Sequence, residues 1–335
     1  MNIKKFFVPA LAILIFAALP LAAQQPFFIP SQVTAVMDAG LAQKQARADI
    51  PMSYLNTLYL PAQQGQVYPV FLFQLKNADL GFAAATDNPA LLKAEHLVFT
   101  RVYRLGAGAA PAIVKERNAR LSLEEAQATF QPEALNYYSI AGDIFPAGDY
   151  LLVLALATPD YARIATAYVD FTLPDLTQLK DKLVTTPVFS VIDLQMLPTA
   201  ETKMIVHKNS FVYNTLLLSP KVVNEFKASE NLDLFYFIMG GTADPATNAL
   251  DLQITYKFKK EGQEVNKLTP QAVTSQIISQ PIDFTFTEIT RDAKGKETER
   301  QQKLLEPGEY VLEIEMLDKV SKAKGLQEFK FKIVQ

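Results

Sequence analysis

The hydrophobic and polar positions of the chain fall into three regimes. In the first, Phe6 to Leu19 is an apolar run broken only by Pro9, with Lys4 and Lys5 before it and Leu21-Ala22-Ala23 after it. A positive segment, a short apolar segment and small residues, in that order, predict a secretory signal peptide over 1–23, cleaved before Gln24. The run is about 14 residues, short of the roughly 20 that a membrane-spanning helix needs. Cysteine is absent, so a lipid-anchored N-terminus is not expected. In the second regime, residues 31–48 (SQVTAVMDAGLAQKQARA) are rich in helix formers, and Ser31 after Pro30 is a candidate cap. Val33, Val36, Met37 and Leu41 fall on one face of that helix. In the third, from Tyr54 onward, strand patterns dominate.

The strands come in two kinds. Tyr68–Leu75 (YPVFLFQL) is a continuous apolar and aromatic run, which predicts a strand buried on both faces, and Leu97–Tyr103 and Tyr150–Ala157 (YLLVLALA) look similar. Later strands alternate with period two. Leu252, Ile254, Tyr256 and Phe258 share one face, as do Tyr310, Leu312, Ile314 and Met316, and likewise Phe329, Phe331 and Ile333. Ile282, Phe284 and Phe286 make a fourth such series. One polar face per strand predicts an antiparallel sheet with one side in water. Asp292–Gly295 (DAKG) reads as a hairpin turn, and Ser122 with Glu125 as a capping box opening a short helix over 122–129. Residues 174–187 are bracketed by prolines and read as a connector.

The two halves repeat. Pro146-Ala147-Gly148-Asp149-Tyr150 matches Pro307-Gly308-Glu309-Tyr310, with the Gly–acid–Tyr triplets 160 positions apart. Val169, Phe171 and Leu173 match Phe329, Phe331 and Ile333 at the same offset, and the runs at 71–75 and 234–240 lie about as far apart. The expected fold is mainly β: two tandem antiparallel β-sandwich (Ig-like) domains with an N-terminal helix after the signal peptide. The expected boundaries are 24–50 for the helical segment, 51–174 for the first domain, 175–187 for the linker and 188–335 for the second domain. The Pro-Gly-x-Tyr strand entry resembles that of bacterial immunoglobulin-like and fibronectin-like modules. The second half, with Asn209–Leu217 (NSFVYNTLL) ahead of an aromatic run, a long hairpin and the Pro-Gly-x-Tyr strand, resembles the β-sandwich part of secreted GWxTD-type proteins. The naming pentapeptide is missing and the chain holds no Trp. The resemblance implies a fold and export, and carries no catalytic residue.

Composition narrows the chemistry. The chain has 335 residues, 49% hydrophobic and 20% charged, with a mean hydropathy of +0.08. The lack of cysteine excludes disulfides, thiolate-bound metals and thiol nucleophiles. Removing Lys4 and Lys5 from the 32 basic residues leaves 30 against 35 acidic, a net charge of −5. Charges of both signs are interspersed, so no nucleic-acid partner is expected. The two histidines, His96 and His207, stand in no G-x-S-x-G or H-E-x-x-H context. Asp244, Asn248 and Asp251, on the loop Gly240–Asp251, are the one weak calcium candidate, since a hard cation takes several oxygens. The same residue types also serve any turn. Glu313 and Glu315 share a strand face and read as an ion-pair ladder with Lys330 and Lys332. Tyr137, Tyr138 and Tyr161 are candidates for an exposed aromatic surface.

The functional expectation is a non-catalytic exported protein that binds or scaffolds another extracytoplasmic protein, in the periplasm or at the cell surface. It takes no cofactor and has no membrane span after signal cleavage. The alternatives are a carbohydrate-binding accessory module, a hydrolase built around His96 or His207, and an outer-membrane barrel, which the short charged strands of the second half disfavour. Finally, Tyr150–Ala157 is apolar on both faces, so something must cover its outer face. The 31–48 helix is the expected cover, leaving the second domain's charged sheet in water.

Overall fold

The computed structural model describes residues 28–335 apart from 107–108, 180, 202 and 292–296, with backbone alone for 109, 288–291 and 297–300. The segment 1–23, read as a signal peptide, and the segment 292–295, read as a hairpin turn, lie outside the described residues. The strands that flank the turn, Thr285–Arg291 and Glu297–Leu304, pair antiparallel.

The chain is mainly β, with one α-helix among the described residues, at Ser31–Leu41. Its larger sheets stack face to face. In the first half, one sheet is Met52–Pro61, Val67–Lys76 and Leu135–Ile140 in that order. The facing sheet is Ala109–Ala126, Leu91–Gly106, Gly148–Ala157 and Ile164–Leu173. Phe71, Phe73, Leu75, Val98, Tyr150, Leu152, Leu154 and Phe171 fill the core between them. In the second half, Phe189–Met196, Asn231–Met239 and Ile277–Asp283 face Gln263–Lys267, Leu252–Lys260, Gly308–Asp318 and Lys324–Val334. The alternating residues expected to point inward do so: Leu252, Ile254, Tyr256, Phe258, Leu312, Ile314, Phe329 and Phe331 are all buried in this core. Corresponding strands take the same order in both halves.

The 160-residue offset is a structural repeat. Tyr150 pairs with Phe171 and Tyr310 with Phe331. The rings stack at 5.3 Å and 5.5 Å. Each Tyr hydroxyl donates to a carbonyl four residues upstream, Pro146 or Glu306, both at 2.8 Å. A hydroxyl bonded back to the backbone a few residues upstream is the geometry of a tyrosine corner. Gly148 and Gly308 both hold φ +149°, a conformation side chains oppose. The following hairpin closes alike in both copies, by Thr158 N–H to Arg163 O and Asp318 N–H to Ala323 O.

The two halves join through a further core. Val67–Lys76 and Asn231–Met239 are each buried on both faces, and their outer residues Val70, Leu72, Phe235 and Phe237 meet there, with Tyr137, Phe189, Phe211 and Leu218. Two segments cross the expected boundary. Val206–Lys208 adds a strand to the first half's sheet beside Leu135–Ile140. Just beyond it, Asn209, Asn136 and Asn77 form a side-chain amide ladder that ends on the Gln131 carbonyl. Within the expected connector, Val184–Thr185 pairs with Ile238 and Met239.

The helix lies where the apolar strand requires it. Val33 and Met37 are buried against Phe99, Tyr103, Leu151, Val153, Ala155 and Ala157. The Tyr168 hydroxyl donates to the Met37 carbonyl at 2.7 Å. Arg101, itself buried, reaches Asp38 on the helix at 2.7 Å. At Gly40 a Cβ would collide with the Tyr168 hydroxyl and the Gln45 carbonyl, so the close approach needs glycine.

Three local expectations are corrected. The helix ends at Leu41 rather than 48; Arg47 to Asp49 instead run along the edge of Ile164–Leu173, with Thr166 N–H bonded to Arg47 O at 2.8 Å. Ser31 is the first helical residue and makes no capping bond, because Pro30 holds the cap position. Residues 122–126 continue a strand, since Leu121 and Leu123 are inward-facing partners of Leu91–Gly106; only a 3-10 turn, Gln127–Thr129, follows.

Candidate interaction surfaces

The ionisable residues singled out by sequence are dispersed. His96 is buried, with Nε2 2.9 Å from the Leu80 carbonyl and Nδ1 without a hydrogen-bond partner among the described residues. Burial pulls its imidazole below the ordinary histidine value; the Leu80 bond opposes this and Arg163 adds to it. It is a core histidine that donates from Nε2 to the Leu80 carbonyl.

His207 has more company. Its Nε2 lies 2.9 Å from Glu201, and across the strand pair it sits opposite Ser139. Acid, imidazole and hydroxyl occur in the order a nucleophilic triad uses. Ser139, however, is fully buried and its Oγ has no hydrogen-bond partner among the described residues. A nucleophile must be bonded to its base and reachable by substrate, and Ser139 meets neither condition. The small cavity here, about 60 Å3, is lined by Tyr68, Gly142, Glu201, Lys203, His207 and Asn214. Tyr68 donates to the Val212 carbonyl at 2.9 Å, and burial, with Glu201 and Asp143 nearby, raises its hydroxyl above the usual tyrosine range.

The loop carboxylates serve the loop. Asp244 Oδ1 accepts from the amides of Ala246 and Thr247, at 2.7 and 3.1 Å. Asn248 takes a left-handed φ of +53°, and Asp251 pairs with Lys319 at 3.2 Å. Among the described residues no group of three His, Asp or Glu side chains is placed to hold a metal.

Tyr137 and Tyr138 are buried, not exposed: one lies in the seam between the halves, the other in the first core. Only Tyr161 is part-exposed, at a left-handed turn beside the helix-covered face. Leu135–Ile140 pairs on both edges and packs on both faces, so consecutive aromatics there are core residues.

Two surfaces remain. The first is the outer face of the second half. Glu313, nearly buried, accepts from Lys259 at 2.5 Å and lies 3.8 Å from Lys257; Lys257 also meets Glu315 at 2.5 Å. The ladder expected with Lys330 and Lys332 is thus made with the other neighbouring strand, because Glu313 pairs in register with Lys257. At one end of this face lies a concavity of about 500 Å3. Met316, Leu317 and the exposed Leu326 give it apolar walls, and Gln253, Thr255, Glu315 and Lys324 give it polar groups of both signs. The second surface is the strand Phe189–Met196, whose last residues are all exposed. Sequence reasoning placed the charged sheet of the second half in water but singled out neither the concavity on it nor the strand Phe189–Met196. The alternation Ile192, Leu194, Met196 was a signal for the second, but without the structure it looks like an ordinary core-facing series.

Among the described residues no helix is long and apolar enough to cross a membrane. No protein-family model and no curated protein matches the chain.

Proposed function

We propose that this chain is an exported, non-catalytic scaffold of two tandem β-sandwich domains, of the immunoglobulin-like or fibronectin-like kind, that binds another extracytoplasmic protein. The observation that carries the reading is the uncovered outer face of the second half. In the stack of helix and four sheets, the other broad sheet faces are packed against a neighbour, whereas this one presents a charge ladder and the concavity beside Leu326. A polar surface around a small apolar centre is the usual composition of a non-obligate protein interface. The dispersal of His96, His207 and the loop carboxylates supports a binding role over hydrolysis. The burial of Tyr137 and Tyr138 removes the platform that a carbohydrate-binding role would use.

The test is photo-crosslinking in the native cell. A crosslinker placed at Leu326 should give one adduct of defined mass, lost when Lys324→Glu is added. The same crosslinker at Gln32, on the exposed side of the helix, should give none. Equal labelling from both positions contradicts the reading.

A further inference from the structure

The free edge of a sheet is a template for another strand, and this protein guards several of its edges. The edge of Ile164–Leu173 is occupied by Arg47–Asp49. That of Lys324–Val334 is occupied by Leu183 at one end and by the parallel strand Glu225–Lys227 at the other. The edge strand Ala109–Ala126 carries Pro111 and a run of charges from Lys115 to Glu125, and Ile277–Asp283 carries Pro281.

Residues 191–196 (VIDLQM) have no such guard. Phe189 and Ser190 pair with Phe235 and Leu234, and there that pairing stops. An irregularity between Val191 and Asp193 turns the strand away, and from Val191 on it pairs only with Leu216–Pro220. Leu197 N–H donates to Thr215 O at 2.7 Å. By the two-residue alternation of an antiparallel ladder, Gln195 also faces that neighbour, and the backbone groups of Leu194 and Met196 point the other way. On that side they have no partner among the described residues. Ile192, Leu194 and Met196 are 71%, 37% and 63% exposed, and Gln195 Nε2 already donates to Asp193 Oδ2 at 2.5 Å.

We infer that this edge pairs antiparallel with the same edge of a second copy, about a two-fold axis through Leu194. The segment is complementary to itself in that register. Leu194 meets Leu194, Ile192 meets Met196, and Asp193 meets the Gln195 amide. Apolar cross-strand pairs and a carboxylate opposite an amide are favourable, and an isologous contact closes at two copies. Centring on Asp193 instead would oppose two carboxylates and use amides already bonded to Leu216–Pro220. The contact is independent of the face around Leu326. A six-residue strand buries less than the roughly 800 Å2 per partner of a standard interface, so the dimer is weak and depends on concentration.

The lack of cysteine makes the test direct. Leu194→Cys should give a covalent dimer with a short thiol-to-thiol reagent. Ile192→Cys should not, because its two copies lie about 13 Å apart in this register, but Ile192→Cys mixed with Met196→Cys should. Leu326→Cys is the exposed control. In sedimentation, Leu194→Lys should weaken the wild-type association at least tenfold without lowering the melting temperature. A wild-type protein that stays monomeric to about 1 mM, the weak end of specific binding, overturns the proposal. So does Ile192→Cys, alone, crosslinking as fast as Leu194→Cys.

Discussion

The outer faces of the two halves are built on one backbone plan and end in opposite states. At positions 151, 153, 155 and 157 the first half places Leu, Val, Ala and Ala; 160 residues later stand Val, Glu, Glu and Leu. On the neighbouring strand, Phe99 and Tyr103 take the places of Thr255 and Lys259, as the pairings to Ala155 and Leu151 and to Glu315 and Val311 show. The first set is dry and carries a helix; the second is charged and carries none. Two glutamates and two lysines at outward positions are enough to make a cover unnecessary, because they bond to one another across the strands. The cover is specified by the sheet beneath it as much as by the helix.

The largest difference is expected between matched truncations. Met37→Ala opens a void under the helix and should cost about 2–4 kcal/mol. Leu326→Ala, on the bare face where the side chain is 60% exposed, should stay within about 0.5 kcal/mol. Urea denaturation of both variants checks this, and equal losses would erase the contrast between the faces. Next comes Glu313→Gln, which leaves Lys259 without its counter-charge in a nearly buried site. A loss of about 1–2 kcal/mol is expected, little reduced by salt, since buried pairs are weakly screened. If 0.5 M salt removes the difference, the ladder is a surface feature only.

The halves should also separate in acid. His96 has Leu252 as its counterpart in the second half, since Leu97 pairs with Ala157 and Gln253 with Leu317. Its imidazole is held below the ordinary value, so the unfolded chain binds the proton more readily than the folded one. Stability from this group is complete above about pH 6.5 and falls as pH drops below it, by at most about 1.4 kcal/mol per unit. His96→Gln should flatten that slope. Hydrogen exchange at pH 5 should show strands 91–106 and 148–157 losing protection before 252–260 and 308–318.

Much of this contrast is written in local pattern. The two-faced strand at 67–76, the one-faced strands of the second half and the 160-residue repeat follow from side-chain periodicity, which backbone geometry translates directly. What could not be read depends on pairing at a distance. Tyr137 and Tyr138 look like loop aromatics because nothing nearby in sequence shows that Val206–Lys208 will close over that strand and the second half will pack on it. Glu313 finds Lys259, with Lys257 close by, rather than Lys330 because both neighbouring strands carry lysines, and register chooses between them. The helix stops at Leu41 because the next residues bond to the edge of Ile164–Leu173, a partner more than a hundred positions away. The exposed strand at 191–196 has the alternation of a core strand, and only the topology shows that one of its two edges has no partner among the described residues.

The central claim is that the helix is the cover of the first half and that the second half needs none. Removing residues 28–48 from the protein and measuring binding of an apolar dye, with light scattering, tests it most directly. The account predicts strong dye binding and aggregation, because Phe99, Tyr103, Leu151 and Val153 would meet water together. A truncated protein that stays monomeric, binds no dye and melts with the parent would contradict it.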